Sequence, residues 1–337
     1  MRPSFLPRLV NGPFDDPGLF VPLAFRNRAF LFDMGDLSGL SPGDILKTSH
    51  AFISHTHMDH FVGFDQLLRL LLGRAVNLRI FGPTGLLENI KGKLKGYTWN
   101  LVHNYQDALV LTVTEIGRDR RITQVFDCRT GFAPTEPVVE KRDDAVILEE
   151  PSLTVRVAIL DHRIDCLAFS VTERFHVNIL KIRLAELGLT VGPWISGFKE
   201  LMYRKADPST QIQVPFAKEN NTWKTFELAD LAARITRVTP GQKFAYVSDA
   251  VFSRENQEKI VRLAQGADQL FIEAAFLEAD RQTALEKYHL TAHQAGSLAR
   301  MAQVGELKLF HHSPRYLGRG HLLEQEALRA FRDEIGR

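Results

Sequence analysis

Three histidines and one aspartate stand within six consecutive positions of this sequence, in the pattern His-x-His-x-Asp-His. They are His55, His57, Asp59 and His60. A short apolar run precedes them, and residues 61–72 are long and apolar enough to form a buried helix. Imidazole and carboxylate groups are ligands for Zn²⁺ and similar divalent ions. We therefore predict that His55 and His57 converge on one ion at the strand end, whereas Asp59 and His60, at the helix start, face a second.

The alternative to a metal site is a chance cluster on a solvated loop, since a single histidine is usually structural or exposed. Three histidines with an interleaved aspartate at a strand end make that alternative weak. Metal binding is therefore the interpretation that the rest of the sequence has to fit.

Three further candidate ligands each follow an apolar run that is typical of a strand. They are His162, Asp249 and His311. His162 alone would more often be a turn residue, but a closed zinc shell requires more ligands than the first motif supplies. A carboxylate has two oxygens, so Asp249 could bridge two ions, which a histidine cannot do. The neighbouring His312 should not share an ion with His311, because adjacent residues on a strand point in opposite directions.

The composition of the 337 residues places few limits on function. Hydrophobic residues make up 45% and charged residues 24%, which is ordinary for a globular protein, and the net charge of +2 permits a polyanionic partner without requiring one. No apolar stretch approaches the roughly 20 residues that span a bilayer, and the N-terminus shows no signal peptide. Cys128 and Cys166 give no disulfide framework. These features predict a cytoplasmic protein without a membrane partner.

Strands and helices alternate along the sequence, with a strand-rich stretch over residues 98–160. This pattern indicates a sheet packed on a sheet with helices outside. The two halves, 1–160 and 163–337, both deliver candidate ligands from strand ends, which suggests two similar halves with the site along a shared edge. Residues 192–205 interleave aromatic and basic side chains. That segment could face nucleic acid, with rings to stack and cations for phosphates, or it could pack its rings inward.

The ligand pattern and four shorter motifs resemble the metallo-β-lactamase superfamily and, within it, the ribonuclease Z family of tRNA 3′-processing endonucleases. The motifs are Gly82-Pro83, Leu187-Gly188-Leu189 leading to Gly192-Pro193, His289-Leu290-Thr291-Ala292, and His311-His312-Ser313-Pro314-Arg315-Tyr316, which is similar to the family signature His-x-Ser-x-Arg-Tyr. The resemblance covers essentially the whole chain. It implies an α+β protein with a four-layer αββα sandwich, a single domain over residues 1–337 with an arm or lid segment inserted over 173–242.

The resemblance also implies two Zn²⁺ sites. The implied ligands are His55, His57 and His162 for one ion, Asp59, His60 and His311 for the other, and Asp249 as the bridge.

Other residues gain roles by the same resemblance. Asp59 would accept the proton of the attacking hydroxide as general base, and His289 would stabilise the transition state or protonate the leaving oxygen, unless it is merely an exposed residue at a helix start. Asp33, at the end of a predicted strand, would hydrogen-bond to a ligand histidine and orient it. Ser313 and Arg315 would seat a substrate phosphate, although both could equally fix the last loop.

The implied function is a zinc-dependent phosphodiester hydrolase, an endoribonuclease that processes tRNA 3′ ends through a hydroxide shared by two Zn²⁺ ions. Mn²⁺ or Fe²⁺ are the alternative metals. Two other hypotheses stay open: a hydrolase of cyclic nucleotides or other small phosphodiesters at the same site, and a non-catalytic protein stabilised by metal. The implied partner is precursor tRNA or a small phosphodiester, and a homodimer is expected by analogy with family members.

Overall fold

The structure is a computed structural model that describes residues 3–24, 26–216 and 222–332. The chain divides into two compact units. The larger unit comprises residues 5–146, 156–170 and the chain from Lys243 onward, and the smaller unit comprises residues 147–155 and 171–242 with the residues up to Ser4.

The strands of the described residues follow in chain order. They are β1 (Arg8–Leu9), β2 (Leu19–Pro22), β3 (Ala29–Phe32), β4 (Thr48–Phe52), β5 (Val76–Pro83), β6 (Leu109–Ile116), β7 (Arg120–Asp127), β8 (Val138–Lys141), β9 (Val146–Glu149), β10 (Leu153–Asp161), β11 (Asp165–Glu173), β12 (His176–Ile179), β13 (Gln211–Pro215), β14 (Trp223–Glu227), β15 (Thr236–Thr239), β16 (Lys243–Val247), β17 (Gln269–Glu273) and β18 (Glu306–Phe310).

The helices lie mainly between these strands. They are α1 (Pro42–Ile45), α2 (Met58–Phe61), α3 (Phe64–Leu71), α4 (Leu86–Lys95), α5 (Lys181–Glu186), α6 (Trp194–Tyr203), α7 (Leu228–Ile235), α8 (Arg254–Ala264), α9 (Arg281–Lys287), α10 (Ala292–Met301) and α11 (Gly320–Arg332), with short 3-10 helices at Val102–Asn104, Cys128–Thr130, Glu278–Asp280 and Pro314–Tyr316. Over the described ranges, none of these helices combines the length and the apolarity needed to cross a bilayer.

The first sheet contains β1 to β8 in sequential order. Its middle strands, β3 to β6, pair in parallel, whereas the outer pairs are antiparallel. The face that bears Ala29 and Leu31 shares a hydrophobic core with Leu67 of α3 and Ile90 of α4. Helices therefore cover this face of the sheet.

The second sheet has the strand order β18-β17-β16-β11-β10-β9, and β16, β17 and β18 are parallel neighbours. Residues of α8, α10 and α11, including Ile260, Ala295 and Leu323, share a core with Ala245 and Val247 of β16. The outer face of this sheet is also covered by helices.

The inner faces of the two sheets meet through aromatic rings. Phe32 of β3 packs against Phe169 of β11 and Phe244 of β16, with ring centroids 5.7 and 5.6 Å apart. Phe52 of β4 also contacts Phe169, at 5.6 Å. The order helices, sheet, sheet, helices confirms the predicted four-layer αββα architecture.

The segment after the histidine-rich motif differs from the single helix predicted over residues 61–72. The helix is broken at Gly63 between α2 and α3. A residue with a Cβ does not fit at this position, because the Cβ would overlap with the carbonyl oxygen of Gly35. The Gly63 amide donates to the Met34 carbonyl oxygen at 2.8 Å. Helix α2 begins at Met58, three residues before the predicted start, so Asp59 and His60 lie inside it.

The smaller unit has a core of its own, formed by side chains of α5, α6, α7 and the β13–β14 hairpin. The aromatic and basic segment at 192–205 forms α6, and its Phe198 and Tyr203 are buried. Of the two interpretations, the inward packing of these rings is the one observed. The inserted arm over 173–242 stays a prediction.

Candidate metal centre

The predicted ligands lie at strand ends of the larger unit. The histidine-rich turn follows β4, His162 lies in the tight hairpin between β10 and β11, and Asp249 and His311 follow β16 and β18. Because β16, β17 and β18 are parallel neighbours, the residues after them share one edge of the sheet. Strand order therefore brings together side chains that are far apart in the sequence.

The first group of candidate ligands contains His55, His57, His162 and Asp249, whose ligand atoms all lie within 4.8 Å of one another. His55 Nε2 is 2.9 Å from His57 Nδ1 and 3.7 Å from Asp249 Oδ2. His162 Nε2 is 3.5 Å from the same Asp249 oxygen. A local contact aims the His162 ring, since its Nδ1 hydrogen-bonds to the Tyr288 carbonyl oxygen at 2.9 Å.

The second group contains Asp59, His60 and His311. Asp59 Oδ2 lies 3.3 Å from His60 Nε2 and 3.2 Å from His311 Nε2. Asp249 reaches this group as well, because its Oδ2 is 3.6 Å from His60 Nε2 and its Oδ1 is 2.9 Å from His311 Nδ1. The seven predicted ligands thus form two adjoining groups that share one carboxylate.

The chemistry of these donors fits divalent cations. Burial lowers the pKa of His55 to about 2 and also lowers that of His57, so both imidazoles are neutral at pH 7 and have a lone pair to offer. Burial opposes protonation of His311 too, but the carboxylates of Asp249 and Asp59 outweigh it and raise the pKa to about 10. His60 Nε2 is buried without a hydrogen-bond partner. Carboxylate charge and ring nitrogens with a free lone pair therefore lie together where a cation would bind.

Asp33 supports His60 from behind. It is fully buried, and its Oδ2 accepts hydrogen bonds from Tyr246 Oη and Ser54 Oγ, both at 2.8 Å. His60 Nδ1 lies 3.0 Å from the same oxygen, and the Ser54 amide donates to Oδ1 at 2.6 Å. A proton on His60 Nδ1 directed at Asp33 leaves Nε2 as the ligand atom. The predicted orienting role of Asp33 fits this geometry, and Tyr246 is a contributor that the sequence did not reveal.

Glu273 is a second residue that sequence reasoning missed. It ends β17, is fully buried, and accepts a hydrogen bond from His289 Nδ1 at 2.8 Å through Oε2. Its Oε1 accepts from the Ala250 and Leu290 amides at 2.8 and 3.2 Å. Burial opposes protonation of His289, but Glu273 outweighs it and raises the pKa. Its position in the sequence was the only signal for it. Glu273 ends β17, and the strands on either side of β17 lead to Asp249 and His311.

The residues of the C-terminal signature lie in different surroundings. His312 is buried, and its Nδ1 hydrogen-bonds to the Ala274 carbonyl oxygen at 2.9 Å, so it lies outside both groups. Strand alternation is not the reason, because both histidines follow the end of β18. Arg315 donates to Asp280 at 3.0 Å, and the Ser313 amide donates to the Ala275 carbonyl oxygen at 3.0 Å. The phosphate-binding role of Ser313 and Arg315 stays a prediction.

Comparison with known proteins gives relatives along most of the chain. No protein-family model matches it. Ribonuclease Z of Deinococcus radiodurans is 29% identical over 289 residues, which cover 85% of this chain and 82% of the relative. Ribonuclease Z of Bacteroides fragilis is 29% identical over 308 residues, with 89% and 84% covered.

Two solved structures share the fold. One is the metallo-β-lactamase fold protein YhfI from Bacillus subtilis, with a TM-score of 0.54, 16% identity, and coverage of 95% of this chain and 90% of that one. The other is a long form RNase Z from yeast, with a TM-score of 0.51, 14% identity, and coverage of 91% and 37%. The chain therefore has the metallo-β-lactamase fold and resembles ribonuclease Z in sequence over most of its length.

Proposed function

We propose that the chain is a metal-dependent phosphodiester hydrolase of the ribonuclease Z type that processes the 3′ ends of precursor tRNA. The observation that carries this proposal is the pair of ligand groups that Asp249 joins through its contacts with His60 and His311. His289 lies 3.8 Å from the same carboxylate. The similarity to ribonuclease Z proteins supports the choice of substrate.

The two groups of the candidate centre would hold two metal ions. The proposed ligands are His55, His57, His162 and Asp249 for one ion and Asp59, His60, His311 and Asp249 for the other. Zn²⁺ is the proposed metal because the donors are imidazole and carboxylate, with Mn²⁺ or Fe²⁺ as alternatives. Bound there, such ions supply Lewis acidity, which activates water and neutralises charge on a phosphoryl group.

Asp59 is the proposed proton acceptor. Burial opposes its ionisation, but the hydrogen bond to His311 and the nearby His60 ring lower its pKa, so the carboxylate is ionised at neutral pH. About two-fifths of its side chain is exposed, 41% against 3% for Asp249. An ionised and accessible carboxylate can orient an attacking water and take its proton.

His289 is the proposed proton donor to the leaving ribose oxygen. Its raised pKa keeps the ring protonated to higher pH than a free imidazole, and Glu273 holds the ring through Nδ1. Nε2 is then the atom that can release a proton. Its side chain is 18% exposed, so substrate can reach it while Glu273 is shielded.

The remaining expectations are part of the same proposal. The proposed partner is precursor tRNA, and the proposed compartment is the cytoplasm, with which the two free and buried cysteines are consistent. A homodimer is the proposed assembly by analogy alone. Ser313 is proposed to contact phosphate on the strength of the signature, whereas the ion pair of Arg315 with Asp280 supports a part in fixing the last loop.

A paired assay tests the function. The zinc-loaded chain is given precursor tRNA and, separately, bis-p-nitrophenyl phosphate. We expect cleavage at the tRNA 3′ end, and we expect His57→Ala to lose at least about a hundredfold in kcat/KM together with one metal ion per chain by metal analysis.

The exposed His103, outside both ligand groups, provides the matched control. His103→Ala should keep full activity and metal content. Turnover of the small ester without any cleavage of precursor tRNA would reject the tRNA function. Full activity and unchanged metal content in His57→Ala would reject the metal assignment.

A further inference from the structure

Two exposed side chains border the candidate metal centre and have no part in the proposed chemistry. Arg163 directly follows His162 in the β10–β11 hairpin, and Tyr288 directly precedes His289 at the end of α9. Both residues are exposed, with 37% of the Tyr288 surface accessible. The guanidinium carbon of Arg163 lies 5.1 Å from the centroid of the Tyr288 ring. A cation stacked on a ring therefore stands beside a candidate ligand and the proposed proton donor.

The backbone at both positions adopts a conformation that suits smaller residues. The φ angle is 62° at Arg163 and 64° at Tyr288, in the left-handed region that glycine or asparagine enters more easily. Local hydrogen bonds hold the first turn, because the Arg163 amide donates to Asp161 Oδ1 at 2.7 Å. Large side chains held in strained turns beside a site point to a use for those side chains.

The two turns are also joined to each other through the candidate centre. His162 Nδ1 hydrogen-bonds to the Tyr288 carbonyl oxygen at 2.9 Å, so the position of Tyr288 is coupled to that of a candidate ligand. The cation–π contact aligns Arg163 with the ring before any substrate arrives. The pair thus offers a preorganised flat surface at a fixed place beside the reacting groups.

We infer that Arg163 and Tyr288 form a stacking surface for the nucleobase next to the scissile phosphate. Unpaired bases bind proteins by stacking on aromatic rings and on guanidinium planes. This inference rests on the proposed phosphodiesterase function and assigns to Arg163 and Tyr288 the contact with one base of the substrate.

Two small substrates with the same leaving group test the inference. Uridine 5′-(p-nitrophenyl phosphate) carries a base, whereas methyl p-nitrophenyl phosphate does not. The variant Tyr288→Asn removes the ring but keeps a residue that tolerates the positive φ. We expect its KM for the uridine ester to rise about tenfold, equivalent to about 1.4 kcal/mol, with kcat within about twofold. Its KM for the methyl ester should not change.

Further variants separate stacking from a structural role. Tyr288→Phe should keep the low KM for the uridine ester, and Arg163→Asn should raise it, each with an unchanged melting temperature. The exposed Tyr97, with 48% of its surface accessible, provides a control, since Tyr97→Asn should change neither KM. Equal losses on both substrates in Tyr288→Asn would show a structural role and overturn the inference.

Binding without turnover gives a second measurement. By calorimetry, the wild-type chain should bind uridine 5′-monophosphate about tenfold more tightly than ribose 5-phosphate, and Tyr288→Asn should lose this preference. Equal binding of the two compounds by the wild-type chain overturns the inference.

The two proposals fail in different ways. A nucleoside preference without cleavage of precursor tRNA rejects the tRNA function and keeps the stacking surface. Cleavage of precursor tRNA without a nucleoside preference rejects the stacking surface alone. Absence of both rejects both.

Discussion

Asp249 lies between the two candidate ligand groups and uses both of its carboxylate oxygens. Its Oδ2 is 3.7, 3.6 and 3.5 Å from the ring nitrogens of His55, His60 and His162, and its Oδ1 is 2.9 Å from His311. The side chain is almost fully buried. The bridging role expected from the sequence is therefore compatible with the geometry, since one carboxylate faces both groups.

The Glu273–His289 pair should set the alkaline limit of activity. Removing the carboxylate charge in Glu273→Gln should lower the pKa of His289, because Glu273 is the main cause of its increase after the opposing effect of burial. A proton donor stops working as pH rises through its pKa, so kcat/KM should begin to fall at lower pH in the variant. At pH 8 we expect kcat/KM of the variant to be about ten- to a hundredfold lower than that of the wild-type chain.

The measurement is the pH profile of kcat/KM for precursor tRNA. Glu306→Gln is the control, because Glu306 is exposed and pairs with Lys308 at the start of β18. An alkaline limb that stays in place in Glu273→Gln would contradict the donor role of His289.

At the residue scale, the sequence predicted site residues where their types and spacing were unusual. Histidine and aspartate clustered after strands predicted the seven side chains that the fold brings together. Glu273 and Tyr246 escaped prediction because a glutamate at a strand end and a tyrosine in an apolar strand are common. Only the contacts to His289 and to Asp33 distinguish them.

At the scale of elements, α10 and α11 pack unusually closely behind the second sheet. A Cβ on Gly296 of α10 would overlap with the carbonyl oxygen of Ala327 in α11 and touch the Ala330 side chain. His289 lies three residues before α10, and His311 lies nine before α11. The packing of α10 against α11 therefore fixes the ends of the loops that carry His289 and His311.

Gly296→Ala should destabilise the protein. The overlap should cost about 1–3 kcal/mol, which exceeds the gain of about 1 kcal/mol from replacing glycine in a helix. A Cβ added to Gly92 in α4 would instead point into open space, with no neighbouring atom within 4 Å, so Gly92→Ala should stabilise the protein by up to about 1 kcal/mol. Denaturant unfolding measures both free energies, and a Gly296→Ala variant as stable as Gly92→Ala would contradict the close packing.

The break between α2 and α3 shows what periodicity could not predict. The apolar residues over 61–72 satisfy a helix on both sides of Gly63. At the break, the Gly63 amide bonds to the Met34 carbonyl oxygen, and the Gly35 backbone leaves no room for a Cβ. A glycine in the sequence can mark a place where two backbones pass closely, but it does not identify the second backbone.

At the scale of the whole chain, the candidate centre joins side chains that follow strands of both sheets in the larger unit, from His55 after β4 to His311 after β18. A ligand that binds only the folded chain stabilises it by mass action, by about 2.7 kcal/mol at a hundredfold excess over Kd. Zinc should therefore raise the melting temperature by several degrees over the chelator-treated protein.

Calorimetric melting with zinc and with excess chelator measures this effect. His57→Ala should show a smaller shift, and His103→Ala the full one. Identical melting temperatures with zinc and with chelator in the wild-type chain would contradict the metal centre. The four-layer architecture was predictable from the strand and helix pattern, whereas the division into two units depends on contacts that no local pattern contains.

The position of His311 after the last strand has a consequence for synthesis. A chain emerging from the ribosome can assemble His55, His57 and His162 early, but the second group stays incomplete until β18 has been made and has paired with β17. Any fragment that terminates before residue 311 therefore lacks one ligand of the second group, although the first group can be complete. Under the proposed function, a nascent chain would not cut RNA before His311 has been translated.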